Sequence, residues 1–249
     1  MPDATSDLLI TEEGRVTVFT INRPEKLNAI SSGVAKDLQA GFAAFDASDQ
    51  RVAIITGAGE KAFTSGADVV DMPELWRCVP TLGIDTSKPV ICAVDGWCVG
   101  GGVVMAATAD LCVATERAKF SYPEAKLGLT GGIIAALAAR IPHKLAMEIM
   151  LLGRPVSGRR AYEMGLVNEV AEDGKHLEVA MGMAQEMAAM APLVLEALKT
   201  TVNDHMMVRC PSEQMALAQM TVSRIRDSAD LQEGLAAYRE KRAPVFTGK

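Results

Sequence analysis

A chain of 249 residues with 49% hydrophobic and 22% charged side chains can bury a sizeable core, and its length suits one large domain or a domain with an appendage. A net charge of −6 and a pI near 5.2 exclude the basic footprint of a nucleic-acid binder or of a protein drawn to anionic membranes. The five cysteines (Cys78, Cys92, Cys98, Cys112, Cys210) show no C-x-x-C spacing, and their odd number predicts free thiols in a reducing compartment. The first residues, MPDATSDLL, have neither a basic nor an apolar leader pattern. The most apolar later stretch, 180–197, carries Gln185, Glu186 and Glu196, which mark an amphipathic helix and not a membrane span. A cytoplasmic protein without a membrane partner is expected.

In chain order, residues 8–10 and 15–21 read as two strands around the turn Glu12, Glu13, Gly14, because VTVFTI is β-branched and alternating. NRPEKLNAIS follows as a loop, with Pro24 stopping the strand and Ser31 or Ser32 placed to cap a helix over 34–45. A buried strand is predicted over 52–56, ending at Gly57. Residues 61–72, KAFTSGADVVDM, form a loop with a glycine and a small residue leading into an apolar run. The stretch 69–88 is the least regular in the chain. Residues 90–94 read as a buried strand that turns at Asp95 and Gly96. Gly100, Gly101 and Gly102 follow, and then an apolar run from Val103 that reads as a helix. Beyond Gly132, IIAALAARI and HKLAMEIMLLG predict two amphipathic helices parted near Pro142. Ser157 is placed to cap a helix that runs to Glu163 and stops at Gly165, and a short strand over 166–170 follows. From His176 the pattern is helical over 176–190, 193–207, 212–226 and 230–241, with Met181, Met183, Met187 and Met190 at core spacing. An α/β core with a helical C-terminal region follows, divided as 1–190 and 191–249.

Three consecutive glycines cost backbone entropy, so they imply a need for close backbone approach or a tight strand-to-helix turn. With a helix starting directly after them, they form either plain punctuation or an anion site. Neither a dinucleotide fingerprint nor a P-loop is present. The histidines (His143, His176, His205) are scattered without metal spacing and read as surface residues, and no G-x-S-x-G elbow supports a serine nucleophile.

Taken together, SGAD (65–68), GWCVGGG (96–102) and SYPEAKLG (121–128) resemble the crotonase (enoyl-CoA hydratase/isomerase) superfamily, with NRPEKLNAIS, AYEMGLVNEV and AYREKR extending the likeness over nearly the whole chain. The resemblance implies a spiral of ββα units with a C-terminal helical oligomerisation region, assembled as a trimer or hexamer. It implies an acyl-CoA substrate, with no metal and no cofactor beyond the coenzyme A thioester itself. The backbone amides of Ala67 and Gly101 would form an oxyanion hole for a thioester enolate. Lys26, Leu27 and Lys241 would touch coenzyme A, although a capped loop and a solvated helix end account for these three equally well. Since coenzyme A is anionic, its site must be locally basic within an acidic chain.

Family members that hydrate use two glutamates. Here the first position is Val104, which cannot titrate, and the second is Glu124. Without the family, a lone Glu after Pro reads as a surface or first-turn helix residue; within SYPEAKLG it becomes the candidate proton shuttle, its pKa raised beside an apolar pocket. Asp68 is expected to order its loop and Asp110 to tie a helix end. Trp76, Trp97, Val104 and Leu129 are expected to line the acyl pocket. The lysine that often follows SGAD in relatives is replaced by Val70. A single glutamate favours an isomerase-like double-bond shift over water addition. Hydration or dehydration, a single-glutamate hydratase-lyase, and a non-catalytic protein of the same fold that binds CoA or RNA are the alternatives.

Overall fold

The computed structural model describes residues 6–249. The chain opens with an antiparallel pair, β1 (Leu8–Glu13) and β2 (Val16–Ile21). The first helix, α1 (Ser32–Ala47), is capped by Ser31, whose hydroxyl accepts from the Val34 N–H at 3.2 Å. Its apolar stripe of Val34, Ala35, Leu38, Phe42 and Phe45 packs down onto the sheet, with Phe42 stacked on Phe19 at 4.2 Å between ring centroids.

Three strand pairs follow, each crossing from one sheet to a second. They are β3 (Val52–Gly57) with β4 (Ala62–Thr64), β5 (Val90–Val94) with β6 (Trp97–Val99), and β7 (Leu111–Thr115) with β8 (Lys119–Ser121). After β6 comes α2 (Gly101–Thr108), and after β8 comes the single turn α3 (Glu124–Leu127). β3, β5 and β7 pair in parallel in the first sheet; β4, β6 and β8 do so in the second. The repeating unit is therefore strand, strand, helix, and each turn of the spiral stacks on the last.

The chain continues through α4 (His143–Leu152), β9 (Val156–Ser157), α5 (Gly158–Glu163), β10 (Glu169–Ala171) and α6 (His176–Ala188). The first sheet has the order β1-β2-β3-β5-β7-β10 and the second β4-β6-β8-β9. Alternation along the first sheet sends Phe19, Ile21, Ile55, Cys92 and Val94 into the main core. Val18, Ile54, Ile91, Ala93 and Val113 face the other way, where α6 covers them with Ala180 and Ala184. Met181, Met183 and Met187 pack in that layer, whereas Met190, one residue past the capped end of α6, is exposed.

The C-terminal region is α7 (Pro192–Thr201), a π-helical turn over Val202–Met206, α8 (Pro211–Arg226) and α9 (Ala229–Glu240). Two expectations change in detail. IIAALAARI forms a 3-10 run over Ile133–Ala139, because Ile133, Ile134, Ala136 and Leu137 are all buried and packing, not one amphipathic face, sets the winding. His176 is not a surface residue: its side chain is mostly buried and its ring lies 4.0 Å from Asp95, which accepts hydrogen bonds from Thr115 and Arg117. Burial lowers the His176 pKa against the opposing pull of Asp95. No helix among the described residues is long and apolar enough to cross a membrane.

Candidate active site

Three short parallel strands build the site. β4, β6 and β8 run parallel and side by side, with Thr64 opposite Cys98 after a shift in the β4 register and Val99 opposite Ser121. The residues that follow their C-terminal ends must therefore gather at one edge of the second sheet. Ala67 follows β4, Gly101 follows β6 and Glu124 follows β8. All three line one cavity of about 440 Å³.

Ala67 is fixed by a parallel bridge to Ile30: the Ile30 N–H donates to Gly66 O and the Asp68 N–H donates to Ile30 O, both at 2.8 Å. In such a bridge the central residue's own N–H points to the opposite side, and no hydrogen bond among the described residues uses that of Ala67. The loop is braced from below. Buried Asn28, at φ +55°, donates to Ala58 O and Ala62 O, and Thr64 Oγ1 donates to Asn28 O and accepts from the Gly66 N–H. Asp68 orders the loop as expected, accepting from the Val70 N–H and pairing with buried Arg23 at 3.1 Å; the Val70 bond comes first among the causes holding its carboxyl below the usual range.

Gly66, at φ +92°, brings the two donors together: a Cβ there would meet Val99 O at 2.9 Å and Gly101 N at 3.5 Å. Gly101 is the first residue of α2, and its N–H is likewise unused among the described residues. A Cβ on Gly101 would stand 2.8 Å from the Leu75 Cδ1, so the site has been drawn in around a missing side chain.

Glu124 stands against Gly100, where an added Cβ would lie 2.6 Å from its Oε1. Its Oε2 is buried with no hydrogen-bond partner. Burial pushes the carboxyl up to about 7, against a weaker opposing backbone hydrogen bond. A carboxyl that gains and loses its proton near neutrality, beside two unused N–H donors, can move a proton while the donors hold a developing oxyanion.

Val104, 3% exposed, gives the cavity an apolar wall. Trp76 and Leu129 line the cavity as expected, but Trp97 does not; it faces outward with the Lys119 ammonium 5.0 Å from its ring centroid. The reason is strand alternation, since Trp97 and Val99 flank inward-facing Cys98. Lys26 and Leu27 lie outside the cavity lining, though Leu27 O accepts from the Ser65 N–H two residues before Ala67. Lys241 closes α9 on the exposed surface and is not brought to the cavity. Asp110 ties elements together as expected, accepting from the Val90 N–H and pairing with Lys199 at 2.8 Å.

Much of the lining had no sequence signal. Met72, Leu75 and Glu74 come from the irregular stretch, and Ser212, Met215, Ala216 and Gln219 come from α8. Ion pairs hold α8 in place: Arg226 meets Glu74 at 2.9 Å, with Arg77 also pairing Glu74 from the same segment, and Arg140 meets buried Glu213 at 3.2 Å. Burial raises the Glu74 pKa, but the bonds from Arg226 and Arg77 more than offset this and hold it below its ordinary value. Among the described residues no cluster of three or more His, Cys, Asp or Glu side chains is arranged to hold a metal.

The sequence profile described as enoyl-CoA hydratase/isomerase matches residues 11–249. The chain belongs to the enoyl-CoA hydratase/isomerase family. It is thus a crotonase-superfamily protein, of the fold its spiral displays. An (E)-benzylidenesuccinyl-CoA hydratase from Thauera aromatica is 33% identical over 94% of this chain and 96% of its own. A carnitinyl-CoA dehydratase from Salmonella typhi is 34% identical over 98% of this chain and all of its own. Among solved structures, a Mycobacterium avium carnitinyl-CoA hydratase superposes with a TM-score of 0.76 at 29% identity, covering 98% of this chain and 99% of its own. An enoyl-CoA hydratase from Mycobacterium tuberculosis H37Rv gives 0.74 at 33% identity over the same shares.

Proposed function

We propose that this family member adds water across, or removes it from, the α,β-double bond of an acyl-CoA thioester, with Glu124 as the single proton shuttle. The observation that carries the reading is one cavity lined by two residues whose backbone N–H groups are unused among the described residues and by a carboxyl with one buried, unpartnered oxygen, poised near pH 7. Hydratase and dehydratase names among the relatives support this reading over the double-bond shift that a lone glutamate suggests from sequence. The Ala67 and Gly101 amides hold the thioester oxygen as it becomes an enolate, and removal of one such donor typically costs about 2.7–4 kcal/mol of transition-state stabilisation. Glu124 carries one proton between water and Cα. The cavity wall of Trp76, Leu75, Val104, Ile133 and Met215 suits an apolar acyl group. Lys26 and Leu27, beside Ser65, would meet the coenzyme A moiety.

The double-bond shift stays as the second reading because Val104 leaves the cavity with an apolar wall at the place of the second carboxylate. Following the conjugated enoyl absorbance over a panel of 2-enoyl-CoA thioesters tests the proposal. Wild type should bleach it and Glu124→Gln should not; an inert wild type that still binds CoA thioesters would mark a binding protein instead.

A further inference from the structure

We infer that Tyr122, held by Thr130, positions the water that adds to the β-carbon, in place of the carboxylate that Val104 cannot supply. The inference rests on the hydration reading above. Adding water in one orientation takes two fixed contacts: an acceptor for the proton that leaves, and a second group for the proton that stays. Glu124 provides the first. The cavity wall supplies the second from the same segment, for Tyr122 precedes Glu124 by two residues and both line the cavity with Thr130.

The Tyr122 hydroxyl lies 2.8 Å from Thr130 Oγ1, and Thr130 Oγ1 also accepts from the Gly132 N–H at 3.1 Å. The phenol oxygen therefore keeps a free acceptor lone pair whichever of the two hydroxyls donates to the other. Burial raises the Tyr122 phenol above its ordinary pKa, with a smaller push from the Glu124 charge and against the opposing Thr130 hydrogen bond, so it stays a neutral hydroxyl throughout the working range. The remaining polar lining groups are less suited. Glu74 is engaged by two arginines, and Ser212 and Gln219 come from α8, with Ser212 set against Gly132.

In the step itself, one water O–H gives its proton to the Glu124 carboxylate while the other is held by Tyr122 Oη. The water oxygen forms the C–O bond at the β-carbon, and the double-bond electrons move to the thioester oxygen between the Ala67 and Gly101 amides. Glu124 then returns its proton to Cα as the enolate collapses. Water is consumed and nothing else is.

A positioning role separates from a structural one by comparing two reactions of the same site. Exchange of the α-hydrogens of a saturated acyl-CoA in deuterated water needs Glu124 and the two amides but no water at the β-carbon. Tyr122→Phe should lower kcat for hydration about 10- to 100-fold and leave that exchange unchanged. Thr130→Val, which keeps the β-branched shape, should give a smaller loss of the same kind, and the double variant should be no worse than Tyr122→Phe. If Tyr122→Phe does not fold, Thr130→Val alone carries the test. Equal loss of both reactions, or undiminished hydration, overturns the inference. A wild type that exchanges α-hydrogens but hydrates none of the enoyl thioesters overturns the hydration reading, and the inference falls with it.

Discussion

Replacing Glu124 by Gln removes a charge that the fold holds at a cost. The carboxyl sits at about 7 against an ordinary 4.5, a difference of about 2.5 units, which corresponds to roughly 3 kcal/mol between the two protonation states. The sign follows from proton binding. Between about pH 4.5 and 7 the folded protein binds a proton at Glu124 that the unfolded chain has lost, so wild-type stability falls as pH rises through that window. Glu124→Gln lacks this dependence. Its stability relative to wild type should therefore climb from pH 4.5 to pH 8, by at most about 3 kcal/mol and by less where solvent reaches the carboxyl. Urea unfolding of both proteins at several pH values measures the difference directly. Over the same window the wild-type hydration rate should rise with pH and level off above about 7, since only the ionised carboxylate accepts a proton; the variant should lose about 10²- to 10⁴-fold and show no such limb. If the two stabilities run parallel from pH 5 to 8, and the wild-type rate is flat there, the burial that raises the Glu124 carboxyl is wrong.

Gly101→Val keeps the N–H but sets a branched side chain against the substrate's approach to it, and should cut turnover by up to the roughly 10²- to 10³-fold that loss of an oxyanion donor costs. Its Cβ meets the movable end of Leu75, so the thermal midpoint should change far less than kcat. Val104→Glu buries a second carboxyl in a wall that is 3% exposed; it should destabilise the protein more at pH 8 than at pH 5 and move the Glu124-dependent limb of the rate profile upward, which a pH–rate series reads. Leu193, Leu198, Val202, Met206, Val222 and Ile225 leave the C-terminal helices with an exposed apolar face, so sedimentation at micromolar concentration should show a trimer or hexamer, and a monomer would contradict it.

Glu124, Ala67 and Gly101 were readable as candidates because each stands in or directly after a loop whose glycines and chain order carry a signal. Why they meet was not readable. The strands that align them, β4, β6 and β8, have three residues each, too few for period-two alternation to stand out. Trp97 shows the consequence: without the strand, nothing in the sequence says which way it faces. The first sheet was legible, since VTVFTI and VICAV are long β-branched runs, and so were the caps at Ser31 and Ser157. The closing of the cavity by α8 depends on pairs distant in sequence, such as Arg226 with Glu74 and Arg140 with Glu213, and no local pattern announces them. Tyr122 and Thr130 lay in plain view beside Glu124, but only the fold joins their hydroxyls.

The central claim is that this cavity adds water with Glu124 as its one proton shuttle and the Ala67 and Gly101 amides as its oxyanion donors. Its most direct test is the mass of the product formed from a 2-enoyl-CoA in water enriched in the heavy isotope of oxygen. Hydration predicts a product heavier than the substrate by one labelled water, formed by wild type and not by Glu124→Gln. A product of unchanged mass with its double bond moved would contradict it.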